Sequence, residues 1–254
     1  MDFSSFDLNA LLPFIGVGFA AQLVDGALGM AFGVISNTLL VAVLGIPPAL
    51  ASQRIHLVEC FTTATSGISH LLHGNIDKKL FFRLLVPGVV GGVLGAYVLT
   101  SLDAGVVKPF VLAYLSAIGI YLLARGLFWP PKIKEAKLIA PLGLFGGFLD
   151  AAGGGGWGPV VTSNLLIQGA DPRKVVGTVN AVEFFLTLAV SAAFIWHLGF
   201  ADLAGPTLGL LIGGLLAAPL GAWVAKHFNP KTMLILVGTV LTATSVYGVY
   251  RAWG

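Results

Sequence analysis

Asp150-Ala-Ala-Gly-Gly-Gly-Gly-Trp-Gly158 interrupts an apolar run that extends from about residue 138 to 169. A carboxylate followed by glycines breaks a helix in the middle of hydrocarbon-length sequence. About 125 residues earlier, Asp25-Gly-Ala-Leu-Gly29 interrupts a run spanning about 11–45 in the same manner. Broken helices in matching positions of two halves are the sequence pointer to a transporter binding site near the bilayer midplane.

Working outward, six further apolar segments fall at 48–73, 80–101, 106–128, 173–198, 203–225 and 232–250. Each has roughly the 17–25 residues that cross hydrocarbon about 30 Å thick. The chain is 57% hydrophobic and 10% charged, with a mean hydropathy of +0.93. Soluble domains carry about 25% charged residues, so an all-α, polytopic integral membrane protein is expected. The net charge of +3 is spread between the apolar segments. It therefore reads as a topology signal and not as a nucleic-acid footprint. Cys60 is the single cysteine, which excludes an internal disulfide and a cysteine-based metal centre. The first ten residues lack a basic start and a small-residue cleavage pattern, so a removed signal peptide is not expected.

The halves align with few gaps. Asp25 matches Asp150, Ser36-Asn37 matches Ser163-Asn164, Glu59 matches Glu183 and His73 matches His197. Gly95-Ala-Tyr-Val98 matches Gly221-Ala-Trp-Val224. The expected domains are a first repeat over 1–128, a cytoplasmic linker over 129–137 and a second repeat over 138–254. Each repeat holds one broken segment and three spanning helices.

The halves of each broken segment hold roughly 15 residues, about 22 Å as helix, which suits a re-entrant hairpin better than a crossing. With two hairpins, eleven of the fourteen basic residues share one side; only Arg54, Lys108 and Arg251 lie on the other. Lys and Arg collect on the cytoplasmic side, which favours this arrangement. Three crossings per repeat then invert the second repeat relative to the first and leave both termini extracytoplasmic. A rival arrangement, with one broken segment crossing and the other not, is compatible with the same lengths.

A charged side chain at a helix centre costs roughly 2.5–3.5 kcal/mol on insertion scales. Asp25, Glu59, Asp150 and Glu183 together represent on the order of 10 kcal/mol if all lie at depth. Such groups mark an ion or substrate route, or hydrogen-bond the freed backbone at a helix break. The second of these alternatives suits Asp25 and Asp150 better than the mid-helix Glu59 and Glu183. Ser52, His56, Glu59, Thr63, Ser66 and His70 follow one another at spacings of three and four, one helix face. Asn180, Glu183, Thr187 and Ser191 repeat the pattern, and both faces are expected to line an aqueous cavity. Interhelical polar contacts are the plainer reading for the serines and threonines.

Gly29, Gly154, Gly155 and Gly156 allow backbone N–H groups to converge on an anion, helped by a helix N-terminus. Gln22, Ser36, Asn37, Ser163 and Asn164 flank the tips as hydrogen-bond donors to an oxyanion. Arg54 or protonated His56 would add positive charge, and Asn180 completes the substrate set. Glu59 and Glu183 are the candidate proton carriers, since removal from water favours an uncharged carboxyl group. Gly88, Gly91, Gly92, Gly95, Gly213, Gly214 and Gly221 need only close helix packing to account for them. No Gly-Lys-Ser/Thr follows the glycine run, so it is no P-loop. His56-Leu-Val-Glu59 has the spacing of a carboxylate-bridged metal site, but the second copy has Asn180 in place of histidine; no metal and no cofactor is expected.

On the duplicated glycine motif with its following Ser-Asn, Asn75-Ile-Asp77 and Gly91-Gly-Val-Leu-Gly-Ala-Tyr97, the chain resembles the TauE/SafE family of sulfite and organosulfonate exporters. Gly153 to Pro159, Val176-Gly-Thr-Val-Asn180 and Leu220-Gly-Ala-Trp223 carry the resemblance in the second half. It implies a bacterial inner-membrane permease exporting sulfite, sulfoacetate or a related sulfonate. Gly29-Met-Ala-Phe-Gly33 departs from the family's continuous glycine run, and Val34 stands where proline is usual.

The expected function is therefore proton-coupled export of a small anion by alternating access, not an enzyme activity. The expected partners are that anion and the lipid bilayer, with a homodimer left open. Four acids around an anion are an odd lining, so a cation or metal transporter is the first rival. A passive channel is another. An intramembrane enzyme built on His56 and Glu59 lacks a nucleophile beside the pair.

Overall fold

The computed structural model describes residues 8–28, 30–128, 137–168, 172–200, 204–227 and 230–253. Helices account for nearly all of them, and no strand occurs among the described residues. The first broken segment is α1 (Leu8–Leu28) and α2 (Phe32–Thr38), which continues through a π-helical turn at Leu39–Val43. Three long helices follow: α3 (Pro48–Leu72), α4 (Lys78–Ser101) and α5 (Ala104–Phe128). The second broken segment is α6 (Ile139–Gly153), a π-helical turn at Trp157–Thr162 and α7 (Ser163–Ile167). Then come α8 (Pro172–Leu198), α9 (Ala204–His227) and α10 (Pro230–Trp253). Residues 129–136 of the expected linker and Gly29 lie outside the described residues.

Helix starts follow from capping. Asp77 accepts from the backbone N–H groups of Lys79 and Leu80 at 2.9 and 3.1 Å, opening α4 at Lys78, two residues before the apolar run. Asp103 accepts from Gly105 N at 2.8 Å and opens α5 in the same way. An aspartate cap satisfies donors that have no partner within the helix. One length differs from expectation. α1 has 21 residues, about 31 Å of rise, against 15 residues and about 22 Å for its counterpart α6.

Contacts between named residues fix the helix directions. Gln53, early in α3, donates to Gly199 O beyond the end of α8 at 2.9 Å. At the opposite end, Lys174 of α8 donates to Gly74 O at 2.6 Å, and Thr178 Oγ1 accepts from Asp77 N at 2.8 Å. The equivalent helices α3 and α8 are thus antiparallel. So are α5 and α10, since Gly119 abuts Thr242 and Gly238 abuts Leu123.

α1 runs alongside α9 in the same direction, Leu11 by Gly205 and Ile15 by Gly213. Its start therefore lies at the Gly199 end, where its return limb also arrives to begin α3. α6 runs with α4, Gly143 by Leu84 and Ala152 by Gly95. Its start lies at the Gly74 end, where α7 also leads into α8. The starts of α1 and α3 thus lie at the Gly199 end, and those of α6 and α8 at the Gly74 end.

Glycine makes both pairings close. A methyl group at Gly91 would lie 2.0 Å from Leu144 O, and one at Gly213 would lie 2.0 Å from Ile15 O. α4 also packs along α8, whereas the counterpart pair, α9 and α3, meets sparingly. That gap forms a lateral groove bordered by Phe61, Thr65, Leu211 and Leu215.

Polarity is distributed opposite to a water-soluble protein. Ser52, Gln53, Arg54, His56, Glu59 and Asp150 are buried, while Phe82, Phe110, Trp196 and Tyr250 face outward. α4, α5 and α8 are each long and apolar enough to cross a membrane. α3 has 25 residues but carries the polar stripe, so its outward face alone is hydrocarbon-like. This is a membrane protein turned around an interior polar seam.

Candidate functional site

The second tip is built around Asp150. α6 ends there because Gly154 and Gly155 take φ values of 68° and 136°, a region that L side chains rarely adopt. The freed backbone is satisfied locally. Asp150 Oδ1 accepts from Gly156 N at 2.8 Å and Trp157 N at 2.9 Å, and the Asp150 carbonyl accepts from Gly155 N at 2.8 Å. These are the N–H groups that the sequence offers to an oxyanion. In the structure the protein's own carboxylate fills the nest.

Behind it lies a buried pair. Asp150 Oδ2 is 3.1 Å from His56 Nε2, and His56 Nδ1 is 2.8 Å from the Ser52 carbonyl oxygen. A carbonyl can only accept, so Nδ1 carries a hydrogen. Ser52 Oγ closes the network by donating to Ala151 O at 2.8 Å.

The first tip is looser. Asp25 Oδ1 accepts from Phe32 N at 3.3 Å. Ala31, at φ 96°, adopts a left-handed conformation that glycines adopt in the second tip. The predicted site residue Gly29 is not among the described residues. The two tips touch: a methyl group at Gly155 would lie 2.3 Å from Val34 N, and one at Gly33 would lie 2.9 Å from Gly155 Cα. Only glycine lets the backbones approach this far.

Beside the contact lies a cavity of about 380 Å³. Asp25, Glu59, Asp150 and Glu183 all line it, with Gln22, Gly155, Gly156 and Asn180. Glu59 is 5% exposed, and its Oε2 has no hydrogen-bond partner; nor has Gln22 Oε1. Thr63, Ser66 and His70 continue the lining along α3 towards the Gly74 end. No lysine or arginine lines the cavity among the described residues. The α3 stripe thus divides at Asp150: Ser52 and His56 are sealed behind it, and Glu59 to His70 face open space.

The other predicted residues hold the framework. Asn37 Nδ2 donates to Gly153 O at 2.6 Å, and Gly154 packs against the same amide. Ser36 is buried within α2. Ser163 accepts from Arg125, and Asn164 donates to Val160 O at 2.6 Å within its own limb. Arg54 lies 6.0 Å from the Phe14 ring centroid and does not line the cavity. Asn180 reaches the lining while its amide donates to Val176 O at 2.9 Å. Among the described residues, no three His, Cys, Asp or Glu side chains group as a metal site would require.

Two supports escape sequence reasoning. Tyr114 donates to Gly155 O at 3.0 Å, and its ring packs on Gly153. Arg125, near the end of α5, reaches Ser163 in the second return limb. A tyrosine inside an apolar helix that also carries Tyr121 shows no pattern that announces such a contact.

The sequence profile of the family described as "Sulfite exporter TauE/SafE" matches residues 14–248. A "Probable membrane transporter protein YtnM" of Bacillus subtilis (strain 168) is 42% identical over 97% of this chain and 85% of its own length. A "Probable membrane transporter protein" of Haemophilus influenzae is 25% identical over 95% of both chains. A second Bacillus subtilis protein, "Probable membrane transporter protein YdhB", is 26% identical over 96% of both. No solved structure matches the chain. With two glycine-broken segments meeting beside a polar interior cavity and a match over nearly all its length, this chain belongs to the TauE/SafE family of membrane transporters.

Proposed function

We propose that the protein is a secondary transporter that exports a small sulfur oxyanion, such as sulfite or sulfoacetate, across the bacterial inner membrane. The observation that carries this reading is the cavity where the two tips meet, with Glu59 presenting an unpartnered buried oxygen beside it. A polar atom left unpaired in a low-dielectric interior is costly; a bound proton or ligand supplies the missing partner. The sulfur oxyanion follows from the family's description.

The repeats are inverted in this reading, as the antiparallel pairs α3/α8 and α5/α10 support. The Gly74 end, next to Lys78, Lys79, Arg83 and Lys174, is cytoplasmic by the positive-inside rule. Both termini are then extracytoplasmic. The cavity runs from the tips towards His70, and His56 and Phe194 seal the opposite side, which describes an inward-facing form. Alternating access exchanges the sparse α3/α9 contact with the close α8/α4 contact.

Four carboxyl groups and, among the described residues, no lining lysine or arginine favour a second reading, transport of a cation. Solid-supported-membrane currents separate the two. Sulfite or sulfoacetate jumps are expected to give saturable currents, with none for divalent cations; the reverse pattern rejects the oxyanion. For topology, cysteines replacing Lys137 and Lys174, which flank the second broken segment, in a Cys60→Ala background are expected to label from the same face. Labelling from opposite faces rejects the hairpin.

A further inference from the structure

The cavity lining bears on the direction in which protons move. Asp25 from α1, Glu59 and His70 from α3, Asp150 from α6 and Glu183 from α8 are its titratable side chains among the described residues; His56 lies behind Asp150. Among the described residues no lysine or arginine lines it, and the N–H groups nearest the second tip already serve Asp150. An anion entering this space meets carboxyl groups that repel it when ionised and donate a hydrogen bond when protonated. Glu59 Oε2, buried and without a partner, is the oxygen best placed to make that change.

We infer that this cavity binds its anion together with protons on Glu59 and Glu183, so that anion and protons travel in the same direction. The inference rests on the oxyanion reading above and fixes its coupling. Export then carries protons outward with the anion, and proton entry cannot drive it by exchange. Each proton comes from the water of the cavity mouth, sits on a carboxyl oxygen while the anion is bound, and leaves with it. The linkage sign follows directly: a ligand that prefers the protonated site raises the site's proton affinity, and protons raise the ligand's by the same factor. A cation in this cavity would show the opposite sign, because protons and cation compete for the same oxygens.

The test uses the full chain in proteoliposomes with sulfoacetate, whose two acid groups both stay ionised between about pH 6 and 8. Its affinity is expected to fall about tenfold per pH unit for each coupled proton. A sulfoacetate gradient without a pH gradient is expected to acidify the compartment that the anion enters. The E59Q/E183Q pair, which imitates the neutral acids, is expected to bind with a flattened pH dependence and to move no protons. Affinity that rises with pH, or alkalinisation of the receiving compartment, overturns the inference while leaving the anion reading intact. So does an unchanged pH slope in the double variant. Absence of sulfoacetate and sulfite binding at every pH, with a divalent cation binding more tightly as pH rises, rejects the oxyanion itself. The wild-type pH slope decides the matter even if the double variant fails to fold.

Discussion

The two tips start from the same sequence idea and end in different chemistry. Asp150 is enclosed: two backbone N–H groups, its own helix end and His56 use up its oxygens. Among the described residues, Asp25 makes one longer bond, to Phe32 N, and otherwise looks into the cavity. Each tip offers an aspartate followed by glycines at a helix break. One aspartate has become the bolt that holds a broken helix together, and its twin is left with oxygen to spare for a ligand. A carboxylate beside glycines therefore does not by itself mark a ligand contact; the number of its bonds to the backbone decides.

The largest effect that would sharpen this contrast is removal of Asp150. Asp150→Ala orphans two buried donors and strips His56 of its partner, a loss of about 3–5 kcal/mol. It is expected to appear as a collapse of the detergent-solubilised melting temperature. Asp25→Ala is expected to shift stability by only about 1 kcal/mol while abolishing substrate-induced currents. Equal destabilisation by the two would break the comparison. His56→Asn, which gives the first stripe the residue that Asn180 supplies in the second, is expected to cost about 1–3 kcal/mol. A thermal-shift measurement reads it.

Smaller effects probe the supports. Tyr114→Phe removes the hydroxyl donated to Gly155 O and is expected to cost about 1 kcal/mol, with retained transport at reduced thermal stability. Ala31→Gly relieves a left-handed alanine in the looser tip and is expected to raise stability by up to about 1 kcal/mol. A fall in melting temperature for this variant would mean that the methyl group of Ala31 packs usefully despite the backbone strain.

Much of this was legible before any coordinates. Composition established the membrane class, the Asp/Gly breaks located both tips, and spacings of three and four placed Glu59, Thr63, Ser66 and His70 on one face of α3. What periodicity cannot give is depth along the face. Ser52 and His56 share the stripe with Glu59, but Asp150 divides it into a sealed part and an open part. Nor could the motif decide whether Asp150 or a ligand fills the nest, because both satisfy the same donors. Arg54 and Ser163 illustrate a different limit. Their residue types suit an oxyanion, yet tertiary packing sends them to Phe14 and to Arg125.

Trp157 stands at the root of the second tip, fully enclosed, with its indole N–H directed to Val179 O at 3.3 Å. Trp196 is 87% exposed on the outer surface. Brominated lipids should quench the outer indole and spare the inner one. The chain has five tryptophans, so in a variant that keeps Trp157 alone the tip carries its own optical gauge: light emitted from that indole reports whether the junction of the two tips loosens as the carrier cycles, with no dye attached.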